Sequence, residues 1–116
     1  MALTSKDIPS TGDDIFYVDP LLGDNLEYAV TCMIFCNYTG SSVSPTPQDV
    51  DLTLYLVPVG GSVGSATMVV NQLTIPAGET FTFDTEKVIL GTGDRIRAVA
   101  SASSRLSVTV SSMRVS

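Results

Sequence analysis

The stretch LGTGDRIRAVASA, Leu90 to Ala102, decides the fold class of this chain. Its first part, Gly91–Asp94, combines two glycines with an aspartate. Glycine adopts φ > 0 without steric cost, and an aspartate side chain can bond nearby backbone N–H groups, so these residues predict a tight turn. The residues after the turn alternate with a period of two, which predicts a strand. One face of that strand carries Ile96, Ala98, Ala100 and Ala102, and the other carries Arg95, Arg97, Val99 and Ser101.

Segments with the same period recur along the chain and are separated by glycine and proline turns, such as those at Asp19-Pro20 and Gly23-Asp24. The predicted strands are Ile15–Val18, Leu26–Tyr38, Val50–Val57, Met68–Ile75, Thr80–Phe83, Lys87–Leu90 and Leu106–Val115. We therefore predict an all-β fold over residues 15–116, a single antiparallel β-sandwich or jelly-roll-like domain. Residues 1–14 are polar and rich in turn residues, and we expect an extended N-terminal arm that becomes ordered only on assembly.

Length and charge restrict the class of protein. The 116 residues suffice for one domain with its own core. Charged residues make up 16% of the chain, below the usual share of about 25%, which indicates a large neutral surface. Either partners cover part of that surface, or the chain is a Ser/Thr-rich β-sandwich that is soluble alone. The net charge of −6 argues against a nucleic-acid partner, because phosphate contacts require Lys and Arg. No run approaches the roughly 20 apolar residues of a membrane span, and residues 1–14 lack the apolar core of a secretory signal.

The two cysteines lie four residues apart on one face of a predicted strand. Along an extended chain Cys32 and Cys36 are separated by about 13 Å, which exceeds the limit of about 7 Å for a disulfide. We expect free, buried thiols, which are typical of a reducing compartment. Two cysteines in a chain without histidine also fall short of a zinc site.

No residue pattern predicts catalysis, a cofactor or a metal. The paired acids Asp13 and Asp14 lie in a predicted loop without a partner nucleophile, whereas acid–base catalysis requires carboxylates held in different environments. Arginine is enriched at protein interfaces, and Arg95 and Arg97 share one strand face. The predicted interface pairs these polar anchors with the apolar second face of Leu26–Tyr38, and the alternative is an exposed polar strand face. Its candidate residues are Arg95, Arg97, Arg105, Met33, Phe35, Tyr55, Asp13 and Asp14.

Two long segments resemble a β-sandwich module of tailed-bacteriophage virion proteins. They are DLTLYLVPVGGSVGSATMVVNQLTIPAGETFTF, residues 51–83, and VILGTGDRIRAVASASSRLSVTVSSMRV, residues 88–115. The positions that carry the resemblance are Leu54–Pro58, Gly60–Ser62, Ile75–Glu79 and Leu90–Ile96. These motifs consist mostly of turn residues, so they specify a fold more closely than a role.

The resemblance implies a non-enzymatic virion structural protein, foremost a capsid decoration (cement) protein that stabilises the head. It implies a homo-oligomer, with a trimer favoured, bound to the major capsid protein or to neck and tail proteins. It implies synthesis in the bacterial cytoplasm and a final location in the virion. The alternatives are a neck, tail or fibre component and a carbohydrate- or receptor-binding module. An enzyme is disfavoured because the chain has no histidine and no nucleophile–base pair.

Overall fold

The computed structural model describes residues 2–22, 26–42, 45–83 and 88–115. Within these ranges the chain forms nine strands and one 3₁₀ turn, Pro20–Leu22. The strands are β1 (Ala2–Asp7), β2 (Asp13–Tyr17), β3 (Glu27–Asn37), β4 (Val50–Val57), β5 (Met68–Ile75), β6 (Thr80–Phe83), β7 (Val88–Gly91), β8 (Arg95–Ala100) and β9 (Leu106–Arg114). The predicted turn at Gly23-Asp24 and the predicted strand start at Lys87 lie outside the described residues.

The strands pair in nested order. β4 pairs with β5, β3 with both β6 and β7, β2 with β8, and β1 with β9. These pairs are wound into two antiparallel sheets: a larger sheet in the order β1-β9-β3-β6, with β7 also on β3, and a smaller sheet in the order β2-β8-β4-β5. Such nested pairs divided between two sheets are the jelly-roll form of the sandwich. The predicted fold class is confirmed.

The core lies between the two sheets and follows the period of two. The described strands contribute buried side chains that include Leu52, Leu54, Ile96, Ala98, Ala100, Leu106, Val108 and Val110. The inner face predicted for β8 is therefore confirmed at Ile96, Ala98 and Ala100. The strand bounds predicted for β4, β5 and β6 match the observed ones.

The turn Gly91–Asp94 forms hydrogen bonds within itself, with the loop after β4 and with the residue that follows β2. The Gly91 N–H donates to Asp94 Oδ2 at 2.9 Å, and the Val59 N–H donates to Asp94 Oδ1 at 2.8 Å. The Gly93 N–H donates to the Val18 oxygen at 2.8 Å. Gly93 has a φ of +89°, and a Cβ there would lie 2.5 Å from Val59 Cγ2, so this position requires glycine.

A bulge in β3 reverses the predicted faces of its second half. The β3–β9 register shifts between Val30 and Cys32, which leaves Thr31 as an extra residue. Val30 and Met33 therefore both point into the core, although strict alternation would place them on opposite faces. Met33 and Phe35 are fully buried within the chain, so their assignment to an interface is wrong.

The same bulge turns the cysteines outward. Cys32 and Cys36 are free, as predicted, but both are only half-buried, so the prediction of burial is wrong. The two residues share their side of the larger sheet with Ile34, which is 41% exposed. Both thiols therefore lie on the outer face of that sheet.

The N-terminal residues differ from the expected arm. Residues 2–7 form β1, which pairs residue by residue with Ser112 to Ser107 of β9. Ile8 is completely buried, and its N–H donates to the Leu106 oxygen at 2.9 Å. Ordering a residue costs about 1–2 kcal/mol of backbone entropy, and here a strand ladder and one apolar anchor offset that cost within the chain. The expectation of ordering only on assembly is corrected, and the sandwich includes residues 2–14.

We predict that Asp94→Ala lowers the free energy of unfolding by about 2–3 kcal/mol, because two backbone N–H groups lose a charged acceptor. Urea denaturation measures the change. Asp49→Ala is the matched control, since Asp49 is exposed and its backbone oxygen, not its carboxylate, accepts from Arg105. The control should lose no more than about 0.5 kcal/mol. Equal losses in the two variants would contradict the role of Asp94.

Candidate functional site

Two arginines share one carboxylate on the outer side of the smaller sheet. Asp14 lies opposite Arg97 in the β2–β8 ladder, and Tyr17 lies opposite Arg95. Arg97 Nη1 is 3.3 Å from Asp14 Oδ1, and Arg95 Nη1 is 3.9 Å from Asp14 Oδ2. Tyr55 lies opposite Arg97 on the other neighbouring strand. We call Asp14, Tyr17, Tyr55, Arg95 and Arg97 the arginine face; it carries one positive charge in excess in a chain whose net charge is −6.

The two arginines are held differently. Arg97 donates to Asp14 Oδ1 and, at 3.4 Å, to the Thr11 oxygen. Within the part of the chain that the structure describes, the guanidinium group of Arg95 has no hydrogen bond, and its one ion pair lies beyond hydrogen-bond distance. The two side chains are about one-third exposed, so both guanidinium groups remain accessible to a partner.

A cleft of about 450 Å³ opens beside Arg95. Its lining residues are Asp14, Tyr17, Pro20, Pro58, Val59, Gly60, Gly61, Gly93 and Arg95. The segment Pro58–Gly61 forms a turn in which the Gly61 N–H donates to the Pro58 oxygen at 2.9 Å. Thus the cleft combines charged groups from β2 and β8 with glycine-rich backbone from two turns.

The outer side of the larger sheet has a different chemistry. Its rows contain hydroxyl, thiol and aliphatic side chains, and we call this surface the neutral face: Leu3, Ser5, Ala29, Cys32, Ile34, Cys36, Thr80, Thr82, Ile89, Ser107, Thr109, Ser111 and Met113. Four of these are large and well exposed, namely Leu3, Ile34, Ile89 and Met113. Among the described strand residues on that side, the charged ones are Asp7 and Glu27, at opposite ends of the face.

Asp7 is tied to the edge of the neutral face by a tyrosine. The Tyr38 O–H donates to both carboxylate oxygens of Asp7, at 2.9 and 3.0 Å. Desolvation and this neighbouring carboxylate raise the pKa of Tyr38 above its usual value. The phenol therefore stays protonated and keeps donating at neutral pH.

The structure brings together only some of the predicted interface residues. Arg95, Arg97, Asp14 and Tyr55 meet on the arginine face. The outer surface of β3 lies on the opposite side of the sandwich, so these anchors and that strand cannot serve one flat contact as predicted. Arg105 lies elsewhere, just before β9, and donates to the Asp49 oxygen at 3.0 Å.

Asp13 does not lie on the arginine face. It takes part in an ion pair that links the two sheets. Lys6 Nζ of β1 donates to Asp13 Oδ2 at 2.9 Å and to the Asp14 oxygen at 3.1 Å, both on β2. The hydrogen bond from Lys6 lowers the pKa of Asp13 below its usual range, although partial desolvation opposes that shift. This pair therefore links β1 to the smaller sheet at the open side of the sandwich.

Sequence reasoning missed one fully buried polar residue, Asn37. Its Nδ2 donates to the oxygens of Gln48 and Ile75, both at 2.8 Å, and its Oδ1 accepts from the Thr39 N–H and O–H. This amide holds the loop before β4 against the end of β5. The signal in the sequence was weak, because an asparagine at the end of a predicted strand is ordinary.

No protein-family model matches the chain, and neither a curated protein nor a solved structure does. Within the described ranges, no three His, Cys, Asp or Glu side chains form a group that could hold a metal ion. Those ranges also contain no helix of the length and apolarity that crossing a membrane requires.

We predict that Asp13→Asn lowers the free energy of unfolding at pH 7 by about 0.2–1 kcal/mol, the usual range for a partly exposed ion pair. Because the folded-state pKa of Asp13 is depressed, the stabilisation is complete above the unfolded pKa of about 4 and is lost as the pH falls through the folded value. Denaturation at pH 7 and at about pH 2 checks this, with Asp49→Asn as the control. A cost that persists unchanged at low pH would contradict the ion pair.

Proposed function

We propose that this chain is a non-enzymatic structural subunit of a tailed-bacteriophage particle, a decoration protein that binds neighbouring virion subunits and stabilises the capsid. The observation that carries the proposal is the neutral face, on which four exposed aliphatic side chains stand among hydroxyls and thiols. The turn motifs that resemble phage virion modules support it. The jelly roll adds a fold-level analogy, since this fold occurs in viral capsid proteins and also in lectins.

The chemistry of the neutral face suits adhesion to another protein. Covering an apolar surface contributes about 25 cal/mol per Å², whereas covering an unpaired charge is costly. The face keeps its charged residues, Asp7 and Glu27, at its two ends. Its centre can therefore lose water on contact without leaving an ion unpaired.

The size of the neutral face favours many weak contacts over one tight contact. With strands about 4.8 Å apart and 3.3 Å of rise per residue, four neighbouring strands cover roughly 500 Å² in projection. A standard interface buries about 800 Å² of accessible surface per partner, and because side chains roughen a face, the neutral face offers accessible surface of no more than about that size. One such contact is therefore modest, and repetition over a lattice or a homo-oligomer, for which we propose a trimer, multiplies its effect.

The two outer faces give the chain two different contacts. The neutral face offers apolar surface, and the arginine face offers a surplus positive charge on the opposite side of the sandwich. A subunit with these two surfaces can contact two neighbours at once. That arrangement fits a protein that connects subunits of a particle.

We predict that Ile34→Lys weakens binding to particles by about tenfold or more, because docking would bury an unpaired ammonium group. Particles purified without the protein are incubated with labelled variants, and the bound fraction is measured after sedimentation. Val63→Lys is the matched control, because Val63 is 39% exposed against 41% for Ile34 and lies in the loop after β4. Equal binding by the two variants would exclude the neutral face as the contact.

We predict that particles lacking this protein lose their genome at a lower temperature than wild-type particles, and that adding purified protein restores the wild-type value. Heating both preparations with a DNA-binding dye measures the release temperature. Equal release temperatures and equal resistance to osmotic shock would overturn the decoration role. A defect confined to tail attachment or adsorption would place the protein in the neck or the fibre.

A further inference from the structure

Arg95 has binding capacity that the chain itself leaves unused. A guanidinium group carries five N–H donors in a fixed plane. Over the described ranges none of those of Arg95 forms a hydrogen bond, and Asp14 at 3.9 Å is its only ionic neighbour. Arg97, two residues further along the same strand face, is hydrogen-bonded twice. The difference singles out Arg95 as the arginine that is available to a ligand.

The cleft beside Arg95 has the size of a small-molecule site. Its volume of about 450 Å³ lies within the usual range of roughly 300–1,000 Å³. Gly60 and Gly61 form part of its lining, and a Cβ on Gly60 would meet no atom within 4 Å. A ligand can therefore approach the backbone closely at this turn. The Gly60 N–H has no acceptor among the described residues.

An aromatic ring and two prolines supply apolar surface in the same cleft. Tyr17 is 48% exposed and lies directly opposite Arg95 in the β2–β8 ladder. Pro20 and Pro58 complete the apolar part of the lining. The C–H face of a sugar ring packs well against such surfaces, because an aromatic ring and a proline are flat and apolar.

We propose that this cleft binds an acidic sugar, a hexuronic acid residue of a glycan. Arg95 pairs with the sugar carboxylate, a geometry for which the planar guanidinium is suited. The ring packs on Tyr17, and Asp14 accepts a hydrogen bond from a sugar hydroxyl. This binding goes beyond the proposed virion role and does not depend on it.

The pairing of Arg95 with Asp14 favours a sugar acid over an acidic peptide. In a hexuronic acid the carboxylate is attached to C5, and the neighbouring carbon C4 carries a hydroxyl group, so a donor for Asp14 stands near the anion for Arg95 where O4 is not glycosylated. In an Asp or Glu side chain the carboxylate is attached to a methylene group, which offers Asp14 no donor. The Asp14 carboxylate would then face the ligand's charge without compensation.

The test is a titration of the isotope-labelled full chain with D-galacturonic acid, followed by nuclear magnetic resonance. We expect saturable shifts at Tyr17, Gly60, Gly61, Gly93 and Arg95. Neutral D-galactose should bind about tenfold more weakly or worse, because it lacks the charged partner of Arg95. Arg95→Gln and Arg95→Lys should each weaken galacturonate binding by a similar factor. The first removes the positive charge, and the second removes the planar pair of N–H donors that can bind both carboxylate oxygens.

Arg105→Gln is the matched control and should leave the affinity unchanged, because Arg105 lies away from the cleft and bonds to the Asp49 oxygen. The comparison of galacturonate with galactose uses the unaltered protein, so it holds even if a variant fails to fold. Absent or unsaturable shifts, shifts outside the cleft, or equal affinity for the two sugars would overturn the proposal. If acetate binds with the same affinity as galacturonate, the cleft is a general anion site. If N-acetyl-glutamate amide binds more tightly than galacturonate, the cleft is a site for an acidic protein segment. Either result overturns the sugar assignment.

Discussion

The carboxylate of Asp94 is the constraint on which much of this sandwich depends. It accepts from the Gly91 N–H, which closes the turn between β7 and β8, and from the Val59 N–H, which fixes the loop after β4. The turn thereby joins the larger sheet, through β7, to the smaller sheet, through β8 and β4. One side chain thus helps to hold together two sheets that are otherwise joined by apolar packing and by the contacts of Lys6 with Asp13 and Asp14. The cleft beside Arg95 exists because this turn and the Val59 loop are held side by side.

The extra residue in β3 decides which chemistry reaches the surface. Without the bulge at Thr31, the second half of the strand would present Met33 and Phe35 to solvent and bury both thiols. With it, the large side chains fill the core, and Ile34 and the cysteines form the centre of the neutral face. Along this central strand, the set of alternating side chains that points into the core thus switches once, at the bulge. The shift lets an almost continuously apolar strand serve a core and an outer surface at the same time.

The two outer faces divide the chemistry of the molecule. The larger sheet shows neutral, partly aliphatic surface of modest area, which suits contacts repeated over many copies. The smaller sheet shows two arginines around one carboxylate beside a cleft, which suits a small charged ligand. Both features follow from alternation on strands whose inner residues are committed to one core. The proposed adhesion through the neutral face and the proposed sugar binding beside the arginine face therefore lie on opposite sides of the sandwich, and each can be altered without removing the other.

The sequence by itself determined the fold class, most strand bounds and the turn at Gly91–Asp94, because alternation and turn residues are local signals. Only the tertiary structure decided which face of β3 is buried, since a bulge arises from pairing with β9 and leaves no mark in the alternation itself. It also decided that residues 2–7 are a strand, because a ladder with β9 joins residues about a hundred positions apart. The arginines could be named from the sequence, but the cleft beside Arg95 could not. Its walls come from β2, β8 and the loop after β4, which become neighbours only when the nested strand pairs are wound into two sheets.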